Sequence, residues 1–257
     1  MSTRTSAAAM GRLQIAEPLV SFSAPASFEA EQYRTLRHLV ERLARDERSK
    51  VFAVTSAGAG EGKTITTLNL AGSLAQSPEA RVLVIDGDLH RPAVPQYLSL
   101  SGSRSGGLAE AILHGERGLM PFVRRIDALN VSVLLAGSRS AGPYELLASP
   151  RLDDVIGEAR RSYDYVLIDT PPVLPLADSR LLARVIDGYI VVVAAHTTPR
   201  RLVVEALDLL DRSKVIAVVF NGDDRPLSTY YGSYGYHDVR PSWWRRLVGA
   251  GLSRPRP

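Results

Sequence analysis

The sequence predicts an α/β fold: a doubly wound, mostly parallel sheet with helices on both faces, of the Rossmann-like kind. Six short runs are almost continuously apolar and rich in β-branched residues, as strands buried on both faces of a sheet are. Segments with helical character lie between these runs, which makes the connections crossovers between parallel strands. The first run leads directly into a glycine-rich loop and then a helix. The runs lie at residues 51–56, 81–86, 131–137, 165–169, 189–195 and 215–221.

The composition bounds the class of protein. The chain has 257 residues, of which 45% are hydrophobic and 23% charged, so a folded globular body is expected. The absence of cysteine excludes disulfides and thiolate metal sites and is consistent with a reducing cytoplasm. No apolar run approaches the roughly 18 residues of a membrane span, and the N-terminus does not resemble a signal peptide. The net charge of +4 suits anionic partners, and we expect no nucleic-acid partner.

Three segments are expected along the chain. Residues 1–26 are rich in Ser, Ala and Pro and are expected to be flexible. Residues 27–227 contain all six apolar runs and form the expected main domain, which opens on a helix from Phe28 to about Arg48. Residues 228–257 form a tyrosine-rich and basic C-terminal tail.

The stretch Ser56–Thr64, SAGAGEGKT, matches the phosphate-binding loop of P-loop NTPases and so indicates ATP and Mg²⁺ as cofactors. Its glycines let the backbone curl so that N–H groups point at phosphate oxygens, and the next helix turns its positive end to the same place. Lys63 can bridge the β- and γ-phosphates, and the Thr64 hydroxyl can bind Mg²⁺. A chance glycine turn is the alternative. The predicted nucleotide-binding residues are Ala57, Gly58, Ala59, Gly60, Glu61, Gly62, Lys63, Thr64 and Ile65.

Carboxylates follow two of the predicted strands. One run ends in Asp86, which Asp88 follows closely, and a later run ends in Asp169. Because the carboxyl ends of parallel strands line one crevice, both positions are expected to face the phosphate loop. One strand-end aspartate is enough to hold Mg²⁺, which leaves another carboxylate to act as a base. A helix N-cap or turn aspartate is the alternative, above all for Asp88.

Three stretches, TSAGAGEGKT, VLVIDGDLHRP and DYVLIDTPP, together resemble the bacterial protein-tyrosine kinases that control exopolysaccharide and capsule synthesis. These kinases share their scaffold with the cell-positioning MinD and ParA ATPases, and the resemblance covers roughly residues 28–236. The positioning ATPases carry a signature lysine near the position of Gly58, and it is absent here. His90 departs from the kinase pattern, in which an Arg or Lys is common, whereas Ala57 is a permitted variant.

The resemblance implies a role for each candidate site residue. Lys63 and Thr64 would hold the phosphates and Mg²⁺. Asp86 and Asp169 would position the metal. Asp88 would orient or deprotonate the incoming phenol, whose pKa near about 10 means that it needs help from a base or the metal at neutral pH.

The segment STYYGSYGYHD gathers four tyrosines around two glycines. The resemblance implies that these phenols are the phosphate acceptors of an autokinase. The alternatives are a stacking platform for single-stranded nucleic acid, an aggregation-prone low-complexity patch, or an ordered lid. The predicted acceptors are Tyr230, Tyr231, Tyr234 and Tyr236.

Two further predictions concern assembly and the nucleotide. Glu31, Arg34 and Arg37 repeat at three-residue spacing in the first helix, where the alternative is a solvated intrahelical pair. The resemblance implies a head-to-tail contact that closes into a homo-oligomeric ring, in which one subunit's tail enters its neighbour's site. Asn221, at the end of the last strand, would contact adenine, and a turn asparagine is the alternative.

The resemblance also implies partners. We expect a separate transmembrane polysaccharide co-polymerase that activates the kinase and recruits it to the inner face of the cell membrane, and a cognate tyrosine phosphatase. Two other functions remain alternatives. One is a positioning ATPase of the MinD or ParA type, and the other is a non-catalytic, nucleotide-gated adaptor of a membrane protein.

Overall fold

The computed structural model describes residues 16–45, 50–100, 106–138 and 142–223. Its strands are β1 (Val51–Ser56), β2 (Val82–Asp86), β3 (Arg124–Ile126), β4 (Val131–Leu134), β5 (Tyr165–Asp169), β6 (Gly188–Ala194) and β7 (Val215–Asn221). They form one sheet in the order β3-β4-β2-β5-β1-β6-β7, in which only the β3–β4 pair is antiparallel. This arrangement confirms the predicted doubly wound, mostly parallel α/β class.

All six predicted runs form parallel strands, and five of them are buried along nearly their whole length. β7 differs, because it lies at the sheet edge and is half-exposed, with Val218 and Phe220 accessible to solvent. The prediction that this run is buried on both faces was therefore wrong. β3 was not predicted at all, because it has three residues and two of them are the exposed Arg124 and Arg125.

The helices complete the two outer layers. They are α1 (Val20–Ser23), α2 (Phe28–Ala44), α3 (Lys63–Leu74), α4 (Val94–Tyr97), α5 (Leu108–Leu113), α6 (Pro143–Ala148), α7 (Arg151–Ser162), α8 (Asp178–Leu181) and α9 (Arg200–Leu209). Short 3₁₀ turns lie at Gly115–Arg117, Met120–Phe122, Asp127–Leu129, Leu182–Arg184 and Arg212–Lys214. α2 starts where predicted because the Ser27 hydroxyl accepts a hydrogen bond from the Ala30 amide, at 3.1 Å. It ends at Ala44, and residues 46–48 of the predicted helix lie outside the described ranges.

Each face of the sheet has its own apolar core. One core packs α1 to α4 against the sheet, through residues such as Val40 and Leu68. The other packs α5 to α9, through residues such as Ile112 and Ile156. This three-layer arrangement buries the central strands and leaves their carboxyl ends open at one edge, where loops can build a site.

Part of the predicted flexible N-terminal segment packs on this body. Leu19 is fully buried, and the Ser21 amide donates to Asn69 Oδ1 on α3 at 2.9 Å. Asn69 in turn donates to the Pro18 carbonyl, at 2.9 Å. Residues 16–26 are thus fixed by side-chain and backbone contacts that their Ser-, Ala- and Pro-rich composition does not reveal.

The sheet order places the candidate site. β5 lies between β1, which leads into the phosphate loop, and β2, which ends in the first carboxylate. Asp86 and Asp169 are direct register partners at the ends of β2 and β5. In the ranges described, no helix has the length and apolar character to cross a membrane.

Candidate active site

The phosphate loop joins β1 to α3 in a conformation that requires glycine. Gly60 and Gly62 have φ values of +77° and +95°, which lie in the left-handed region that favours glycine. Gly62 is also crowded, because a Cβ added there would lie 2.0 Å from Asn221 Nδ2. α3 begins immediately afterwards at Lys63. The first amides of a helix and its positive dipole end therefore face the concave side of the loop, as in an anion-binding cradle.

Two contacts brace this loop from within. Glu61 is 6% exposed, and its Oε1 accepts a hydrogen bond from the Gly58 amide at 2.9 Å. The Asn221 side-chain amide donates to the Glu61 carbonyl at 3.0 Å. The structure thus places Asn221, predicted to contact adenine, against the phosphate loop at the end of β7. The sequence carried no signal for this brace.

Asp169 and Asp86 form the floor of the site. Asp169 Oδ2 accepts a hydrogen bond from the Thr64 hydroxyl at 2.6 Å, which ties the end of β5 to the first turn of α3. Asp86 Oδ2 accepts from the Val94 amide at 3.2 Å. Both carboxylates are buried, and among the described residues Oδ1 of each has no hydrogen-bond partner.

Burial makes charge on these carboxylates costly. Burial, together with the neighbouring charge of Asp169, raises the pKa of Asp86 to about 8. Burial likewise raises the pKa of Asp169 to about 7, against the opposing effects of the Thr64 hydrogen bond and the Lys63 charge. A bound cation would relieve both penalties by pairing with the ionised oxygens.

The residues present fit Mg²⁺. Two buried carboxylate oxygens lack partners in the described structure, and the Thr64 hydroxyl lies beside one of these carboxylates. Mg²⁺ at nucleotide sites commonly uses one or two carboxylates together with phosphate oxygens and water. The absence of any cluster of three or more acidic or histidine ligands from the described ranges is compatible with such a site.

Lys63 is the first residue of α3, directly after the phosphate loop. It is 8% exposed, and burial lowers the pKa of its ammonium group, while the charges of Asp169, Asp88 and Glu61 oppose that shift. A buried cation surrounded by carboxylates is stabilised by them, and it is positioned to contact an anion that enters the loop.

Asp88 lies in the loop that follows β2. Its Oδ1 accepts hydrogen bonds from the backbone amides of His90 and Arg91, at 3.2 and 2.8 Å. The carboxylate therefore shapes its own turn, as the alternative interpretation of this residue expected, while its charge still acts on Lys63. The His90 ring reaches Asp178 of α8, a residue that the sequence did not single out.

The predicted assembly residues lie on α2. Arg34 pairs with Glu31 and also donates to the Pro25 carbonyl, at 2.6 Å. Arg37 instead donates to Glu41 Oε1 at 2.6 Å and to the Ser73 carbonyl at 2.7 Å. The Arg37 side chain therefore has its hydrogen-bond partners within its own chain.

The predicted phosphate acceptors lie outside the described residues. They are Tyr230, Tyr231, Tyr234 and Tyr236.

Comparison with known sequences agrees with this geometry. Residues 49–202 match the AAA domain family. The tyrosine-protein kinase YwqD of Bacillus subtilis (strain 168) is 33% identical over 222 residues, which cover 86% of this chain and 92% of YwqD. The succinoglycan biosynthesis transport protein ExoP of Rhizobium meliloti (strain 1021) is 34% identical over 206 residues, which cover 78% of this chain but 26% of ExoP.

Solved structures of a tyrosine kinase domain and of a MinD protein resemble this chain. The kinase domain of the Escherichia coli tyrosine kinase ETK superposes with a TM-score of 0.75 at 25% identity, covering 86% of each chain. The septum site-determining protein MinD of Pyrococcus horikoshii, complexed with Mg-ADP, superposes with a TM-score of 0.57 at 22% identity, covering 70% of this chain and 72% of MinD. The MinD likeness concerns the fold alone. The match to YwqD along nearly its whole length shows that this chain belongs to the bacterial tyrosine-protein kinase family.

Proposed function

We propose that this chain is an ATP- and Mg²⁺-dependent autokinase that phosphorylates the tyrosine cluster of its own C-terminal tail and so regulates polysaccharide polymerisation and export. One observation carries the nucleotide part of this proposal. The Thr64 hydroxyl binds the buried Asp169 beside Lys63, and one oxygen of Asp169 and one of Asp86, its register partner on β2, lack hydrogen-bond partners in the described structure. The kinase part is supported by the family to which the chain belongs.

The phosphate loop would bind the triphosphate of ATP. Its amides and the start of α3 offer donors to the phosphate oxygens, and Lys63 adds a positive charge. Thr64, Asp86 and Asp169 would hold Mg²⁺. Bound Mg²⁺ supplies charge that stabilises the transferred phosphoryl group and the leaving oxygen.

Asp88 would act on the incoming tyrosine. A phenol oxygen forms a bond to the γ-phosphorus, the bond from that phosphorus to the bridging oxygen breaks, and ADP departs with the electron pair. The phenol proton passes to the Asp88 carboxylate, whose loop position is fixed by the amides of His90 and Arg91. Catalysis of this kind depends mainly on positioning and charge stabilisation.

The tail would act in trans. We take residues 27–227 as the kinase domain and residues 228–257 as the tail that bears Tyr230, Tyr231, Tyr234 and Tyr236. The partly exposed pair of Glu31 and Arg34 on α2 would contribute to the head-to-tail contact of a ring.

A membrane protein of the polysaccharide pathway is the expected activator. ExoP is named for succinoglycan biosynthesis transport, and this chain matches about a quarter of it, which supports a role beside a larger transport component. We propose that such a partner recruits the kinase to the inner face of the membrane, and that a tyrosine phosphatase reverses the modification.

Phosphosite mapping tests the function. The purified chain, incubated with ATP and Mg²⁺, should acquire phosphotyrosine between residues 230 and 236, and Lys63→Met should abolish it. Labelling that persists in Lys63→Met protein free of other kinases would overturn the proposal. ATP turnover stimulated by lipid or DNA without phosphotyrosine would favour a positioning ATPase. Tight ATP binding with neither turnover nor transfer would favour an adaptor.

A further inference from the structure

The loop that carries Asp88 is tied to a distant helix. Asp88 Oδ1 accepts hydrogen bonds from the amides of His90 and Arg91, so the position of the carboxylate is coupled to that of the His90 backbone. From the same turn, His90 Nε2 lies 3.0 Å from Asp178 Oδ2, at the start of α8. The contact spans 88 positions of sequence and bridges the segments that follow β2 and β5.

Asp178 stands on a rigid support. It is 2% exposed, and the next residue, Ser179, is fully buried. The Ser179 hydroxyl donates to the Pro171 carbonyl at 2.7 Å, and the Tyr189 hydroxyl donates to the Ser179 carbonyl at 2.7 Å. These contacts connect the start of α8 to the segment after β5 and to β6. Asp178 is therefore a well-supported anchor for the loop that follows β2.

The His90–Asp178 contact differs from an ordinary surface ion pair. Exposed pairs contribute little, because water screens them and two long side chains must be ordered. Here one partner is almost completely buried and the His90 side chain is 34% exposed. Removing the imidazole would leave a buried carboxylate without this partner, which is costly.

We propose that His90 and Asp178 are positioning residues, a strut that holds Asp88 in place for phosphoryl transfer. The inference rests on the proposed role of Asp88 as the group that orients or deprotonates the phenol. A displacement of about 1 Å at a reacting group can reduce the rate by about 100-fold. Among the described residues, no hydrogen bond or ion pair joins the side chains of His90 and Asp178 to the phosphate loop. We therefore expect the strut to affect the catalytic rate rather than nucleotide affinity.

The kinetic test uses the full-length chain with ATP and Mg²⁺. His90→Ala should lower the kcat of phosphotyrosine formation by between about 10- and 100-fold, with KM for ATP changed by less than about twofold. His90→Arg, which retains a cationic donor, should restore most of the rate. The double variant His90→Ala/Asp178→Asn should have the same kcat as His90→Ala alone, because both substitutions act on the same contact between residues 90 and 178. His114→Ala is the matched control, since His114 is exposed, follows the end of α5 and has Glu116 of the next turn as its ionic neighbour.

A second measurement does not depend on activity. Hydrogen exchange at the His90 and Arg91 amides, which donate to Asp88, should be faster in His90→Ala and unchanged in His114→Ala. The strut is overturned if His90→Ala changes neither the amide exchange nor the kcat. It is also overturned if the only change in His90→Ala is a higher KM for ATP. If the wild-type chain forms no phosphotyrosine, the proposed function fails, and the exchange experiment still decides whether the strut exists. Because His90 is partly exposed, its variant keeps the test valid even if Asp178→Asn does not fold.

Discussion

Two buried carboxylates at neighbouring strand ends make the site sensitive to pH. The pKa of Asp86 is raised to about 8 and that of Asp169 to about 7, chiefly by burial. An unfolded aspartate titrates near about 4, so between about pH 4 and pH 8 the folded chain holds protons that the unfolded chain has released. The free energy of unfolding of the ligand-free chain therefore decreases as pH rises through this window.

We expect the melting temperature of the ligand-free chain to fall between about pH 6 and pH 8. Each titrating carboxylate contributes at most about 1.4 kcal/mol per pH unit, or about 3–5 °C for a chain of this size. Asp86→Asn should melt at a higher temperature than the wild type near pH 8 and should show a flatter pH dependence. Asp127→Asn, at an exposed site, should follow the wild type. If the melting temperatures of Asp86→Asn and the wild type change in parallel with pH, Asp86 is not the group with the raised pKa.

The affinity for Mg²⁺-ATP should show the opposite trend and increase with pH, because the metal requires ionised carboxylates.

Glu61 has two opposing effects on nucleotide binding. Its Oε1 holds the Gly58 amide and so keeps the loop in shape, while its charge lies near Lys63 in a cradle built for anions. Glu61→Gln keeps an acceptor oxygen and removes the charge, whereas Glu61→Ala removes both. The pair of variants therefore separates the two effects.

We expect ATP to bind Glu61→Gln more tightly than the wild type and Glu61→Ala more weakly. One neutral hydrogen bond contributes about 0.5–1.5 kcal/mol, so the two variants should differ by roughly 2- to 12-fold in Kd. Titration calorimetry of both proteins with ATP and Mg²⁺ measures this ratio. Equal affinities for Gln and Ala at this position would show that the Gly58 contact does not shape the loop.

At this scale the sequence reveals the parts of the site that follow a local pattern. The phosphate loop and the strand-end Asp86 and Asp169 could be predicted because strand, turn and helix are consecutive in the chain. The contacts of Asn221 and Asp178 could not, because their partners lie 160 and 88 positions away. No periodicity in a single sequence records which loops meet across the end of a sheet.

At the scale of elements, α2 is fastened to α3 by Arg37. Its guanidinium donates to Glu41 on the same helix and to the Ser73 carbonyl near the end of α3. The carbonyls in the last turn of a helix lack helical partners, so this contact pairs a buried acceptor at the end of α3. Arg34 makes no such contact with α3, and its pair with Glu31 is partly exposed.

We therefore expect the two arginines to behave differently in the isolated chain. Arg37→Ala should lower the free energy of unfolding by about 1–2 kcal/mol, and Arg34→Ala by less than about 0.5 kcal/mol. Urea denaturation at low protein concentration measures both. If Arg37→Ala is as stable as Arg34→Ala, the link between α2 and α3 is not stabilising. If Arg34→Ala prevents assembly without lowering the free energy of unfolding, Arg34 lies in a contact between subunits.

The two sheet edges explain which elements the sequence could predict. β7 was recognised from its long apolar run, although it is an edge strand with Val218 and Phe220 exposed. β3 was missed because its arginines resemble a loop, and such charged residues suit a strand edge that should not pair with another chain. Apolar runs therefore locate strands but do not report how deeply each strand is buried.

At the scale of the whole molecule, charge links the tail to the assembly. The chain carries a net charge of +4, and each phosphotyrosine adds about −1.5 to −2 at pH 7. Four phosphates would therefore make the chain net negative. Neutral phenols of the tail would enter a neighbour's site beside Asp86, Asp88 and Asp169, whereas phosphate groups would be repelled by ionised carboxylates there at short range. Our hypothesis is that the unphosphorylated tail holds the assembly together and that phosphorylation releases it.

Replacing the four tail tyrosines, Tyr230, Tyr231, Tyr234 and Tyr236, with Phe tests this hypothesis. We expect ATP binding to be unchanged, most labelling to be lost, and the particle to remain large in the presence of ATP. Tyr144→Phe, the same change at an exposed tyrosine of the folded body, should label and dissociate like the wild type. Light scattering before and after incubation with ATP and Mg²⁺ measures particle size. If the Phe variant is as small as the fully phosphorylated chain, the tail does not control assembly, and the contact on α2 must then act alone.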